Sequence, residues 1–127
     1  MIILDTDVLI EIFDKHSAAG KTAMDAILAR SDTVATTAIN LHEILYGLEK
    51  YARPTVEILQ LPILGYAKED SRLSVKLEVS AERAGKPIRR TDAMIAAIAM
   101  RSEAEFYTLN LKHFAPLKSL GLKMFNP

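Results

Sequence analysis

Short apolar, β-branched runs alternate with amphipathic helical stretches along this whole chain, and the first of them stops abruptly at an acid. Ile2-Ile3-Leu4 has the composition of a buried parallel strand, and Asp5 stands where that strand must leave the sheet. Thr6 or Asp7 can cap a following helix with Val8, Leu9, Ile12 and Phe13 on one stripe. A second helix is expected over 17–30, with Ala23, Ile27 and Leu28 inward. A strand over Thr33–Thr36 and a helix over Ala38–Leu48 come next. Pro54 is expected to open a short helix through Leu59, and Pro62–Gly65 to hold or lead into a third strand. Lys68–Ala84 reads as a long amphipathic helix stopped by Gly85, and Thr91–Met100 as an alanine-rich one. Glu105–Leu109 reads as a strand, Leu111–Leu120 as a loop with helical turns, and Leu122–Phe125 as a last edge strand. Such alternation predicts an α/β sandwich: a central, mainly parallel sheet with helices on both faces.

In sheets of this kind, ligands sit beyond the carboxyl ends of the strands. Three acids are expected at that rim: Asp5 after the first strand, Glu43 in the helix after the second, and Asp92 at the start of the helix preceding the fourth. Crowded carboxylates raise one another's pKa values, and a hard divalent cation relieves the repulsion. Each acid also has a plain structural reading. Asp5 can accept from the next helix, Asp92 suits a first helical turn, and Glu43 follows Asn40 at capping-box spacing.

The remaining composition bounds the function. The 127 residues suit one domain, and half of them are apolar, enough for a real core. Sixteen acids balance sixteen bases, so any grip on nucleic acid must be local rather than global. Lys86, Arg89 and Arg90, just before Asp92, are the candidate contacts to nucleic-acid phosphate. There is no cysteine, which excludes thiolate chemistry and cysteine zinc sites and suits a cytoplasmic setting. No run approaches the roughly 18 apolar residues of a membrane span.

Four segments together resemble the PIN-domain ribonucleases. They are Ile3-Leu4-Asp5-Thr6-Asp7-Val8-Leu9-Ile10, Asn40-Leu41-His42-Glu43-Ile44-Leu45-Tyr46-Gly47, Arg90-Thr91-Asp92-Ala93-Met94-Ile95-Ala96-Ala97 and Tyr107-Thr108-Leu109-Asn110-Leu111-Lys112-His113-Phe114. Their order, spacing and total length are similar to those of the VapC toxins of prokaryotic toxin–antitoxin pairs. That resemblance implies a single PIN-like domain over 1–127, folded as a three-layer sandwich. It implies that Asp5, Glu43 and Asp92 hold Mg²⁺ or Mn²⁺ and cleave RNA, with a VapB-like antitoxin as partner and a homodimer as the assembly. The apolar residues of 41–51 and the helix over 68–84 are the surfaces offered for an interface. One departure is Asn110, where the family often has a fourth acid; it favours one metal over two. Asp7, Thr108 and Asn110 are supporting candidates, against the plainer readings that Asp7 caps a helix and the other two shape a turn. His42 and His113 are taken as structural or substrate-adjacent, and Glu11 and Asp14 as solvated. The competing readings are a PIN-fold binding or scaffold module with weak catalysis, and a haloacid-dehalogenase-like phosphotransferase suggested by Asp5-Thr6-Asp7.

Overall fold

The structure, a computed structural model, describes residues 1–127. Four short strands form one parallel sheet in the order β3-β2-β1-β4: β1 (Ile2–Leu4), β2 (Val34–Thr37), β3 (Ile63–Leu64) and β4 (Glu105–Tyr107). Ile2 pairs with Val34 on one side and Glu105 on the other, so β1 is central and its end is the natural switch point of the sheet.

The alternation of β1 builds two cores. Ile2 and Leu4 face a cluster with Val8, Leu9, Ile27, Ile44 and Leu48, contributed by α1 (Thr6–Leu9), α2 (Ala18–Arg30) and α3 (Ala38–Lys50). Ile3 faces the other cluster, with Leu77 of α4 (Lys68–Arg83), Ala93 and Ile95–Ala97 of α5 (Arg90–Arg101), and Phe106 and Phe114. The alanines let α5 lie close under the sheet, and α4 packs across α5. This is the helix–sheet–helix sandwich that the strand–helix alternation predicts.

Several expected elements come out differently. Leu28 is 66% exposed, because Gly20 sets the rotation of α2: its backbone lies against the Glu11 carbonyl on a π-helical turn over Ile10–Asp14, leaving no room for a Cβ. The segment after Pro54 gives one 3₁₀ turn, Ile58–Gln60, held by a single buried residue, Ile58. Leu111–Ser119 is a true helix, α6, despite Pro116, because Phe114 and Leu117 are buried beneath it. Strand β4 stops at Tyr107, two residues early, because Thr108 turns away to hydrogen-bond acids at the rim. The C-terminal edge strand shrinks to one parallel bridge, Phe106 to Met124, as Leu122 bonds back to the Leu117 carbonyl. No helix is long and apolar enough to cross a membrane.

Candidate functional site

The carboxyl ends of β1, β2 and β4 open into a cleft of 230 Å³ lined by Asp5, Thr6, Asp7, Glu43, Asp92, Asn110, Arg89 and His113, with Ile10 and Phe114. Larger hollows lie elsewhere, near His16 and beside α6; the one near His16 has Glu11, Asp25 and Glu57 with His16 and Lys21 on its walls, but none gathers four carboxylates at the strand ends. Chemistry rather than size singles out the acidic cleft.

Asp5 ends β1 and caps α1 itself, accepting from the Thr6 N–H at 2.8 Å. This corrects the expectation that Thr6 or Asp7 is the cap. Asn40 Nδ2 donates to the same oxygen at 3.0 Å, and the Thr108 hydroxyl donates to the other at 2.7 Å. Burial pushes the Asp5 carboxyl up from 3.8 to about 6, and the neighbouring Asp7 charge adds to the rise; the Thr108 and Thr6 hydrogen bonds pull the other way.

Asn40 is the fully buried hub of this network. It is not the cap of α3, so the capping-box reading of Asn40 with Glu43 fails. Thr37 is the cap, accepting from the Asn40 N–H at 3.1 Å and donating to Asn40 Oδ1 at 2.7 Å. With its oxygen so engaged, Asn40 aims both amide protons at Asp5 and at the Thr6 hydroxyl, 2.9 Å away. Thr6 then donates to Glu43 at 3.1 Å. Glu43 is exposed, one turn further along α3 than Asn40, and is steered only by this contact.

Asp7 binds across the site instead of capping. Its Oδ2 accepts from the Leu109 N–H at 3.1 Å and lies 3.3 Å from the Thr108 hydroxyl, fastening the β4–α6 turn to α1. Burial raises its pKa, opposed by those donors, and its Oδ1 is buried with no partner. Thr108 does more than shape a turn: its hydroxyl serves Asp5 and accepts from the Asn110 N–H at 3.1 Å. Asn110 is the residue before α6, exposed, with no side-chain capping bond.

Asp92, in the first turn of α5, meets His113 Nε2 at 2.5 Å and Arg89 Nε at 3.4 Å. An ionised carboxylate only accepts, so His113 donates through Nε2–H. Pairing of His113 with an acid is a contact that sequence reading missed; its only signal was the closeness of His113 to Asn110 in the last motif. The basic trio divides. Arg89 lines the cleft, Arg90 is held by Glu78 through two bonds of 3.2 and 3.1 Å, and Lys86 lies outside the cleft lining. His42 is also outside that lining, Glu11 is tied to Ser17 at 2.6 Å, and Asp14 is paired with Arg53.

The three candidate acids therefore share one cleft, yet as their side chains stand no three acidic or imidazole groups converge as a ligand set for a metal ion. Each is turned to a protein donor. The donor chemistry fits a hard cation nonetheless. Four carboxylates face one open space against a single arginine and a histidine, Asp5 is costly to ionise there, and a buried Asp7 oxygen lacks a partner. Ions such as Mg²⁺ keep several waters, so direct contact from every acid is not required.

A parallel α/β sheet with a cleft of four carboxylates at its switch point defines a class of site suited to a divalent cation and an anionic substrate. The PIN domain family model matches residues 2–115, and the chain belongs to that family. Ribonuclease VapC2 of Rickettsia felis is 25% identical over 128 residues, with 95% of each chain covered. Among solved structures, VapBC2 from Rickettsia felis, bound to a DNA fragment from its promoter, is similar with a TM-score of 0.81 at 25% identity, over 100% of this chain and 99% of that one. A toxin–antitoxin complex from Klebsiella pneumoniae gives 0.75 at 25% identity, over 91% of each chain.

Proposed function

We propose that this chain is a ribonuclease of the VapC type, the toxin of a toxin–antitoxin pair, acting as one domain over 1–127 with Asp5, Glu43 and Asp92 as its metal-holding acids. The observation that carries the reading is the gathering of these acids, from three separated motifs, in one cleft at the end of the central strand. The relatives whose names and assemblies point the same way are VapC2 and the two toxin–antitoxin complexes.

A bound Mg²⁺ or Mn²⁺ supplies a water of lowered pKa and positive charge for the phosphate. The chain's own residues prepare the place. Asn40, the Thr6 amide and Thr108 fix the Asp5 carboxylate in one orientation. Thr6 steers Glu43 at the cleft wall, and His113 holds Asp92. Asp7 clamps the turn carrying Thr108 and Asn110. With Asn110 neutral and Asp7 Oδ2 engaged in that clamp, leaving only its buried Oδ1 unpartnered, one cation suits the site better than two. Arg89 is the basic residue placed to meet an RNA phosphate. A VapB-like antitoxin is the proposed partner, supported by the toxin–antitoxin assemblies of similar structures, and a homodimer is the proposed assembly; Tyr46 and Tyr51, exposed on and just after α3, are available for such an interface.

The test is cleavage of single-stranded RNAs by the purified chain in magnesium, manganese or chelator. Cleavage should need the metal and should be lost in Asp5→Asn, Glu43→Gln and Asp92→Asn while the folded circular dichroism spectrum is kept. Wild-type cleavage by those variants, or cleavage in chelator, refutes the assignment.

A further inference from the structure

The stretch from Lys86 to Arg90 looks like one basic patch in sequence but does not act as one. Arg90, the first residue of α5, is engaged by Glu78 of α4. Arg89 precedes the helix in extended backbone and reaches over the cleft. Its side chain is 72% exposed, while the Asp92 side chain it approaches is 10% exposed.

Arg89 is weakly held. Its Nη2 and Nε lie 3.1 and 3.4 Å from His113 Nε2. That nitrogen carries the proton it donates to Asp92 at 2.5 Å, so it has no lone pair left for a guanidinium. Neither approach is a hydrogen bond. The only anion in reach is Asp92 Oδ2 at 3.4 Å, well beyond the roughly 2.7–2.9 Å of a charge-assisted bond. A guanidinium has about five N–H donors, and at most one of these is satisfied here. The result is a loosely tethered positive charge beside a carboxylate proposed to hold a cation. Arg89 and a divalent ion beside the same oxygen would repel each other, and the planar fork of arginine matches a phosphate.

Resting on the reading of Asp92 as a cation-holding acid, we propose that Arg89 is an exchangeable counter-ion: it neutralises Asp92 while no divalent cation is bound, is released when one binds, and then contacts a phosphate oxygen of the RNA. Arg89 is thus a positioning residue with two successive anionic partners. Removing it helps the metal and hurts the substrate, a combination that a purely structural role does not produce.

The experiment titrates Mn²⁺ into the purified, metal-stripped chain and follows the free ion by electron paramagnetic resonance. Wild type, Arg89→Gln, Arg89→Lys, Asp92→Asn and a distant charge control, Lys21→Gln, are compared. Arg89→Gln should bind Mn²⁺ about two- to fivefold more tightly, the range of an exposed ion pair. Arg89→Lys keeps the charge and should stay near wild type, as should Lys21→Gln. For RNA binding measured against salt concentration, Arg89→Gln should weaken affinity and lower the slope by about one. Unchanged or weaker Mn²⁺ binding in Arg89→Gln, with Asp92-dependent binding intact in wild type, overturns the exchange and leaves the site reading standing. Loss of any Asp92-dependence in wild type overturns both.

Discussion

Replacing Asp5 by Asn should destroy cleavage and yet stabilise the metal-free protein. Asp5 is 9% exposed, and burial together with the Asp7 charge moves its pKa from 3.8 to about 6. A rise of about two units at about 1.4 kcal/mol each places some 3 kcal/mol of destabilisation on the ionised form. The folded state binds this proton more tightly than the unfolded one. Its contribution to stability is therefore full below about pH 3.8, declines as pH rises, and is gone above about 6. Asn carries no charge and fits the same network. Its oxygen can accept from the Thr6 and Asn40 donors, while its amide faces Thr108, whose hydroxyl can turn toward Asp7. Allowing for altered hydrogen bonds, a net gain of about 1–3 kcal/mol is expected at pH 8. That corresponds to a melting temperature higher by about 4–10 °C for a chain of this size. Thermal melts in chelator at pH 4, 6 and 8 read the effect directly. The gap should be near zero at pH 4, open through pH 6 and be complete at pH 8. Magnesium should raise the wild-type melting temperature and leave Asp5→Asn unmoved, narrowing the gap. A variant less stable than wild type at pH 8 in chelator, or a gap independent of pH, refutes the electrostatic reasoning.

Two further outcomes follow from named contacts. Gly20→Ala places a Cβ 2.2 Å from the Glu11 carbonyl oxygen; backbone displacement should outweigh the gain in helix propensity and cost about 2 kcal/mol or more in urea unfolding. Thr108→Val keeps the shape of a buried side chain but removes the donor to Asp5 and the acceptor for the Asn110 N–H. It should lower metal affinity or cleavage rate about 10- to 100-fold, measured by Mn²⁺ titration and single-turnover cleavage; a wild-type result on both would show that the hydroxyl only shapes the turn.

The sequence exposes those parts of this molecule where local pattern and global fold agree. Ile2-Ile3-Leu4 ending at Asp5 marks the central strand and its functional end, because burial on both faces demands an unbroken apolar run. The helices over 38–50 and 90–101 are visible in their apolar spacing, and Glu43 and Asp92 with them. What hid were features decided by tertiary contact. Pro116 argues locally against a helix, and only the burial of Phe114 and Leu117 overrides it. Leu28 fits an inward stripe until the backbone contact at Gly20 fixes the rotation of α2. Arg89 and Arg90 are neighbours in sequence, but one precedes the helix and the other begins it, so they reach different partners. Asn40 has the spacing of a cap, while Thr37, three residues earlier, takes that role and frees Asn40 for the acids.

Anomalous diffraction from crystals of the chain soaked in Mn²⁺ tests the shared-cation claim most directly. One peak should appear in the cleft, coordinated by oxygens of Asp5, Glu43 and Asp92 or by waters that they hold, with Arg89 turned off Asp92. A peak bound elsewhere, or an empty cleft in a preparation that still cleaves RNA, would contradict it.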